Sequence, residues 1–126
     1  MSNPTMYDRL GGEAGLTALI DKYLEILRSN PAYADLSSRY VNGMEHYRAR
    51  MLEYLTGWFG GPTLYAQKHG LPQLRENHQR IRITTELRDL WFGCMQQALS
   101  ESVADEELRR ELEAAFWQMA ESLRNA

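Results

Sequence analysis

The chain has 126 residues and a formal net charge of −3; 44% of its residues are apolar and 25% are charged. These values are typical of one water-soluble globular domain, which we expect to span residues 1–126. The slight acidity and the lack of a continuous basic run argue against a nucleic-acid partner. No apolar run is long enough to span a bilayer, and the polar start at residues 1–5 lacks the pattern of a signal peptide. We therefore expect no membrane association and a cytoplasmic location.

The first long element predicted is a helix that follows Gly11 and Gly12 and ends at Asn30, with a short turn over residues 5–10 before it. A residue that precedes a proline, as Asn30 does, is driven out of the α region. Between these limits apolar residues recur every three or four positions, which places them on one helix face. They are Leu16, Leu19, Ile20, Tyr23, Leu24 and Leu27.

A second long helix is predicted over residues 44–59, because the Gly-Gly-Pro sequence at residues 60–62 ends its apolar pattern. The pattern then weakens, and Gly70 interrupts it. We predict a short helix near Leu64–Lys68, a loop, and one or two helical turns that end near His78.

Two more long helices complete the predicted fold. Thr84 or Thr85 can cap a helix over about residues 86–100, and Asp105 can cap the last helix, since short polar side chains accept hydrogen bonds from the first free backbone N–H groups. No alternating strand pattern of useful length occurs. The predicted fold class is therefore all-α, in one domain.

Histidine and cysteine are the residues whose chemistry is most informative here. The chain has His46, His69, His78 and one cysteine, Cys94, so neither a helical zinc pair nor an internal disulfide is available. A glycine-rich phosphate loop and a nucleophile elbow are also missing. One histidine in a helical protein can still hold a haem iron, because the porphyrin supplies four of the ligands itself.

Four motifs, in order, resemble those of the group II truncated haemoglobins, the two-over-two helical globins. They are YDRLGG at residues 7–12, FGGPTLY at residues 59–65, GLPQLRENH at residues 70–78 and RDLWFGCM at residues 88–95. Each motif is short, but their order and spacing together are specific. The resemblance implies a truncated globin fold, a two-over-two helical sandwich around haem.

The resemblance also implies the cofactor and its ligand. The histidine that closes the Leu-Arg-x-x-His motif of the family is the proximal iron ligand, and it corresponds to His78 in this chain. The cofactor implied is haem b, iron protoporphyrin IX. His46 and His69 lie outside this motif, and we expect them to be solvated.

On the distal side the chain departs from the family. The tyrosine usual in the first long helix is replaced by Leu24, while Tyr40, Tyr47 and Met51 align with other pocket positions. Trp91 corresponds to the family's tryptophan, whose N–H can donate to bound oxygen. Tyr47 or Tyr40 either supplies the displaced hydroxyl or only fills space, and the sequence leaves both alternatives open.

At the rim, Arg75 and Tyr65 are candidates to contact the haem propionates, whereas we expect Arg80 to be an ordinary solvated side chain. The family often has Pro-Phe two residues after the iron ligand. Here Arg80-Ile81 occupies that place, so the link that follows His78 can orient the imidazole differently.

Three functions agree with the sequence. The first is reversible binding of O₂, NO or CO for storage, scavenging or sensing. The second is a redox enzyme, an NO dioxygenase or a peroxidase-like protein, which would need an external reductase because no flavin or nicotinamide site is visible. The third is a haem-free helical module that binds a partner protein. The oligomeric state does not follow from the sequence.

Overall fold

The fold is all-α, as predicted. The computed structural model describes residues 4–40, 43–71, 73 and 81–126, and this part of the chain contains helices and no strands. A turn of 3-10 helix at Pro31–Tyr33 accompanies seven α-helices. These are α1 (Met6–Leu10), α2 (Gly12–Ser29), α3 (Ala34–Ser37), α4 (Met44–Trp58), α5 (Leu64–His69), α6 (Thr85–Ser102) and α7 (Glu106–Leu123).

Side-chain caps fix where three of these helices begin. Thr5 caps α1 in a reciprocal arrangement with Asp8, in which each side chain accepts a hydrogen bond from the other's backbone N–H. Thr84 caps α6, and Asp105 caps α7, each accepting from the backbone N–H three residues later. The structure thus selects Thr84 from the two predicted caps of α6 and confirms the predicted cap of α7.

The end of α2 agrees with the prediction, but the segment after it does not. Asn30 leaves the helix with φ −88° and ψ 118°, the extended region expected before a proline. Its side chain then accepts from the backbone N–H of Ala32 at 3.0 Å and so starts a short helical stretch over residues 31–37. The sequence pattern did not predict this stretch, because two turns are too short to show an apolar repeat.

The four long helices form two pairs, α2 with α4 and α6 with α7, and α2 also packs along α6. The contact between α2 and α6 contains Cys94, which is fully buried and donates its thiol to the carbonyl oxygen of Tyr23 at 3.6 Å. Gly15 allows α1 to meet α2 closely, since a Cβ atom at this position would overlap the carbonyl oxygen of Leu10. This arrangement confirms the predicted two-over-two sandwich.

An internal space remains between α4 on one side and α6 and α7 on the other. Helix α5 packs against α4 and contributes to the edge of this space. Within the ranges described, no helix combines the length and the hydropathy of a transmembrane segment.

Candidate functional site

The space between the helix pairs is a cavity of about 720 Å³. This volume lies within the range of roughly 300–1,000 Å³ that is common for small-molecule and cofactor sites. Its walls are mainly aromatic and aliphatic, and three arginines lie among them. The apolar lining includes Leu36, Tyr40, Tyr47, Met51, Tyr54, Leu55, Tyr65, Ile81, Ile83, Leu87, Trp91, Met119, Ala120 and Leu123.

Five of the predicted site residues meet at this cavity. Tyr40, Tyr47, Met51, Trp91 and Tyr65 all line it, although they come from α4, α5, α6 and the segment after α3. The sequence placed them together only through the family resemblance. Their common location supports one pocket for all five.

The other predicted residues are either undescribed or buried elsewhere. His78 and Arg75 lie outside the residues that the structure describes, as does Arg80, so their predicted roles stay predictions. Leu24 is 3% exposed and belongs to the buried core. It is not among the side chains that line the cavity, and its neighbour on α2, Tyr23, reaches the cavity wall only through its hydroxyl contact with Tyr47.

A hydrogen-bonded group of three side chains lies at one wall of the cavity, and two of them, Tyr47 and Trp91, line that wall. The hydroxyl oxygens of Tyr23 and Tyr47 are 3.0 Å apart, and the indole N–H of Trp91 donates to the Tyr47 oxygen at 3.2 Å. Tyr23 is fully buried on α2, so its hydroxyl needs a partner inside the protein. The sequence did not predict the contact between Tyr23 and Tyr47. The one indication of it was a tyrosine, Tyr23, on the buried face of the first long helix.

The chemistry of the three groups fixes the direction of one of the two hydrogen bonds. The indole N–H of Trp91 can only donate, so Tyr47 accepts from it. Between Tyr23 and Tyr47 either hydroxyl can be the donor. Where Tyr23 donates, the Tyr47 oxygen accepts two hydrogen bonds, and its own O–H is available to the cavity that Tyr47 lines.

Tyr47 keeps its proton at physiological pH. Burial, followed by the nearby Tyr40, raises the pKa of Tyr47 well above its usual range. The ring of Tyr40 lies parallel to that of Tyr47, with their centroids 4.1 Å apart and an interplanar angle of 5°. This stack restricts the Tyr47 ring and holds its hydroxyl in place.

A polar cluster of Arg50, Glu53 and His69 joins α4 to α5 at the edge of the cavity. The Glu53 carboxylate lies 2.7 Å from the His69 ring nitrogen Nε2, and Arg50, which lines the cavity, contacts the same imidazole. The ring of His69 also packs edge-on against Tyr65 at 4.9 Å. His69 was predicted to be solvated, and it is exposed while making these contacts.

Other polar side chains lie at the cavity's edge. Arg39 and His46 are exposed residues that line it, and Arg88 joins them from α6. Arg88 is paired with Glu121 and Asp89 and lies over the Trp117 ring at 4.6 Å. Neither Arg39 nor Arg88 was predicted to be a pocket residue, although Arg88 is the first residue of the motif at residues 88–95.

The cavity between the two helix pairs has apolar walls, hydrogen-bonding side chains on one side and arginines at its edge. This architecture is typical of a protein that holds a cofactor in its core. The model of the Bacterial-like globin family matches residues 5–125. Group 2 truncated hemoglobin YjbI from Bacillus subtilis (strain 168) is 32% identical over 103 residues, which are 82% of this chain and 75% of that protein.

Two solved structures resemble this one along nearly the whole chain. The cold-adapted truncated hemoglobin from Pseudoalteromonas haloplanktis TAC125 has a TM-score of 0.92 and 35% identity, covering 97% of this chain and 98% of its own. The truncated oxygen-avid haemoglobin from Bacillus subtilis has a TM-score of 0.84 and 30% identity, covering 96% and 99%. The chain therefore belongs to the bacterial-like globin family, as a truncated haemoglobin of group II.

Family membership implies a haem cofactor, and the cavity fits one. The ring of a porphyrin is flat and apolar, which suits walls made of Tyr40, Met51, Leu87 and Met119. Its two carboxylates would need cations, and the arginines at the cavity's edge, such as Arg39, are the side chains that would hold them.

Proposed function

We propose that the protein binds haem b through His78 and reversibly binds a diatomic gas, O₂ above all, on the other face of the haem. The iron supplies the gas-binding position, and the protein supplies the hydrogen-bond donors around it. The observation that carries this proposal is the place of the Tyr47 hydroxyl, which lines the cavity and contacts both Trp91 and Tyr23; when Tyr23 donates to it, its own O–H is available to a bound gas. NO and CO are further ligands of the same position, and the cytoplasm is the proposed location.

In this proposal the residues around the pocket have separate roles. Tyr47 donates to bound O₂, which is more polar than bound CO and gains more from a donor. Trp91 is a positioning residue, because its N–H is engaged by the Tyr47 oxygen at 3.2 Å. Tyr40 supports Tyr47 by stacking. Arg75 and Tyr65 are proposed to contact the propionates.

The O₂ dissociation rate tests this assignment. A net hydrogen bond contributes about 0.5–1.5 kcal/mol, so Tyr47→Phe is expected to raise the rate roughly threefold to tenfold. Trp91→Phe should have a smaller effect, and the double variant should resemble Tyr47→Phe, because the two residues act in one network. Stopped-flow measurements with O₂ and then CO give these rates, and CO should respond less.

Tyr54→Phe is the matched control, since Tyr54 also lines the cavity but lies outside the hydrogen-bonded group. It should release O₂ at the wild-type rate. The assignment is wrong if Tyr47→Phe also releases O₂ at that rate. If the purified protein, supplied with haem, shows no Soret band, the proposed function itself fails.

A further inference from the structure

The segment at residues 81–83 connects the predicted iron ligand to α6. Ile81 lies three residues after His78, and Thr84, the cap of α6, follows Ile83 directly. Both Ile81 and Ile83 line the cavity, and Ile83 is 8% exposed while Ile81 is 39% exposed. The position of this segment therefore determines part of the cavity wall and the start of the helix that carries Trp91.

Asn125, which lies two residues after the end of α7, holds this segment with three hydrogen bonds. Its side-chain oxygen accepts from the backbone N–H of Ile83 at 2.8 Å, and its side-chain nitrogen donates to the carbonyl oxygen of Ile81 at 2.8 Å. Its backbone N–H donates to the carbonyl oxygen of Ile83 at 3.0 Å. The oxygen and the nitrogen of one side-chain amide thus bind the backbone at Ile83 and at Ile81. This pair of bonds fixes the orientation of the segment relative to the end of α7, as well as its distance from it.

A group of charges holds Asn125 in place. Glu121, in the last turn of α7, pairs with Arg124 at 2.8 Å and also with Arg88 of α6. Arg124 and then Arg88 hold the pKa of Glu121 at about 2, so the carboxylate stays ionised through the physiological range. The end of α7 is thereby tied to the start of α6, and Asn125 is brought opposite residues 81–83.

We propose that Asn125 is a positioning residue that holds residues 81–83 against the cavity and so slows the loss of haem. The inference rests on the proposed function, since it concerns the retention of the same cofactor. Where the family often has a phenylalanine, this chain has Ile81, and a hydrogen bond from Asn125 holds the backbone at that position.

Two substitutions at Asn125 separate its hydrogen bonds. Asn125→Ala removes both side-chain bonds, whereas Asn125→Asp keeps the acceptor for Ile83 and loses the donor to Ile81. The rate of haem transfer to excess apomyoglobin is the first measurement. Two hydrogen bonds of ordinary strength correspond to roughly a fivefold to hundredfold faster loss in Asn125→Ala. Asn125→Asp should also lose haem faster than the wild type, because its second carboxylate oxygen faces the carbonyl oxygen of Ile81 and repels it.

The second measurement does not need the cofactor. In haem-free protein, the amide hydrogen of Ile83 should exchange faster with solvent in Asn125→Ala than in the wild type, because its acceptor is gone. Ser122→Ala is the matched control, since its exposed hydroxyl donates to the carbonyl of Met119 within α7. It should leave both rates within about twofold of the wild type, which is below the effect of one hydrogen bond.

The outcomes separate the two proposals. The Asn125 assignment is overturned if Asn125→Ala loses haem at the wild-type rate, or if the exchange of the Ile83 amide is unchanged. It is also overturned if Ser122→Ala accelerates haem loss as much as Asn125→Ala does. A wild-type protein that takes up no haem overturns the proposed function instead, and the exchange measurement then still reports whether Asn125 holds the segment.

Discussion

Replacing His78 with glycine is expected to abolish the normal haem spectrum. The resemblance makes His78 the proximal ligand, and a glycine leaves a space in which no side chain can reach the iron. Loss of groups that merely orient a metal ligand typically costs about 10- to 100-fold in affinity, so loss of the ligand itself should cost more than roughly 100-fold. Absorption spectra and haem titration of His78→Gly measure both effects.

Added imidazole supplies the internal check on this result. Imidazole is small enough to take the place of the missing side chain, so it should restore the spectrum of His78→Gly. His69→Gly is the control, because it removes a histidine at the last residue of α5, where Glu53 and Arg50 contact it. That variant should bind haem normally. A His78→Gly protein with an unchanged spectrum would exclude His78 as the ligand.

Removal of haem is expected to lower the melting temperature substantially. Without it, the apolar walls of a cavity of about 720 Å³ lack the ligand that covers them. A ligand present at 1,000 times its dissociation constant stabilises the folded state by about 4 kcal/mol. For a domain of this size, each kcal/mol shifts the melting temperature by about 3–5 °C, so the loss should be roughly 10–20 °C.

Thermal unfolding followed by circular dichroism compares the haem-free and the loaded protein directly. Haem added back to the haem-free protein should restore the original melting temperature, and excess haem should raise it further. Equal melting temperatures with and without haem would show that haem does not lie within the folded core.

The sequence predicted the helices well because their limits depend on local chemistry. Asn30 precedes a proline, and Thr84 and Asp105 are short polar caps, so each boundary follows from one or two residues. The stretch at residues 31–37 was missed for the opposite reason. Its helical turns depend on the Asn30 side chain and on packing against α2, neither of which leaves a periodic pattern.

The site was less predictable, because its contacts join distant parts of the chain. Tyr23 and Tyr47 are 24 residues apart, Tyr47 and Trp91 are 44 apart, and Ile83 and Asn125 are 42 apart. An apolar stripe shows which helix face is buried, but it does not show which hydroxyl meets which N–H. The resemblance supplied the pocket positions, while the structure supplied the hydrogen-bond partners of Tyr47.

The burial of Cys94 makes this thiol an internal reporter of transient opening. It is fully buried between α2 and α6, and burial raises its pKa to about 12, so the reactive thiolate is scarce at pH 8. We expect a thiol reagent such as dithionitrobenzoate to label the native protein only when these two helices separate. Labelling kinetics should therefore report the free energy of that opening. If the native protein is labelled as fast as an unfolded peptide, Cys94 is not protected by its position between α2 and α6.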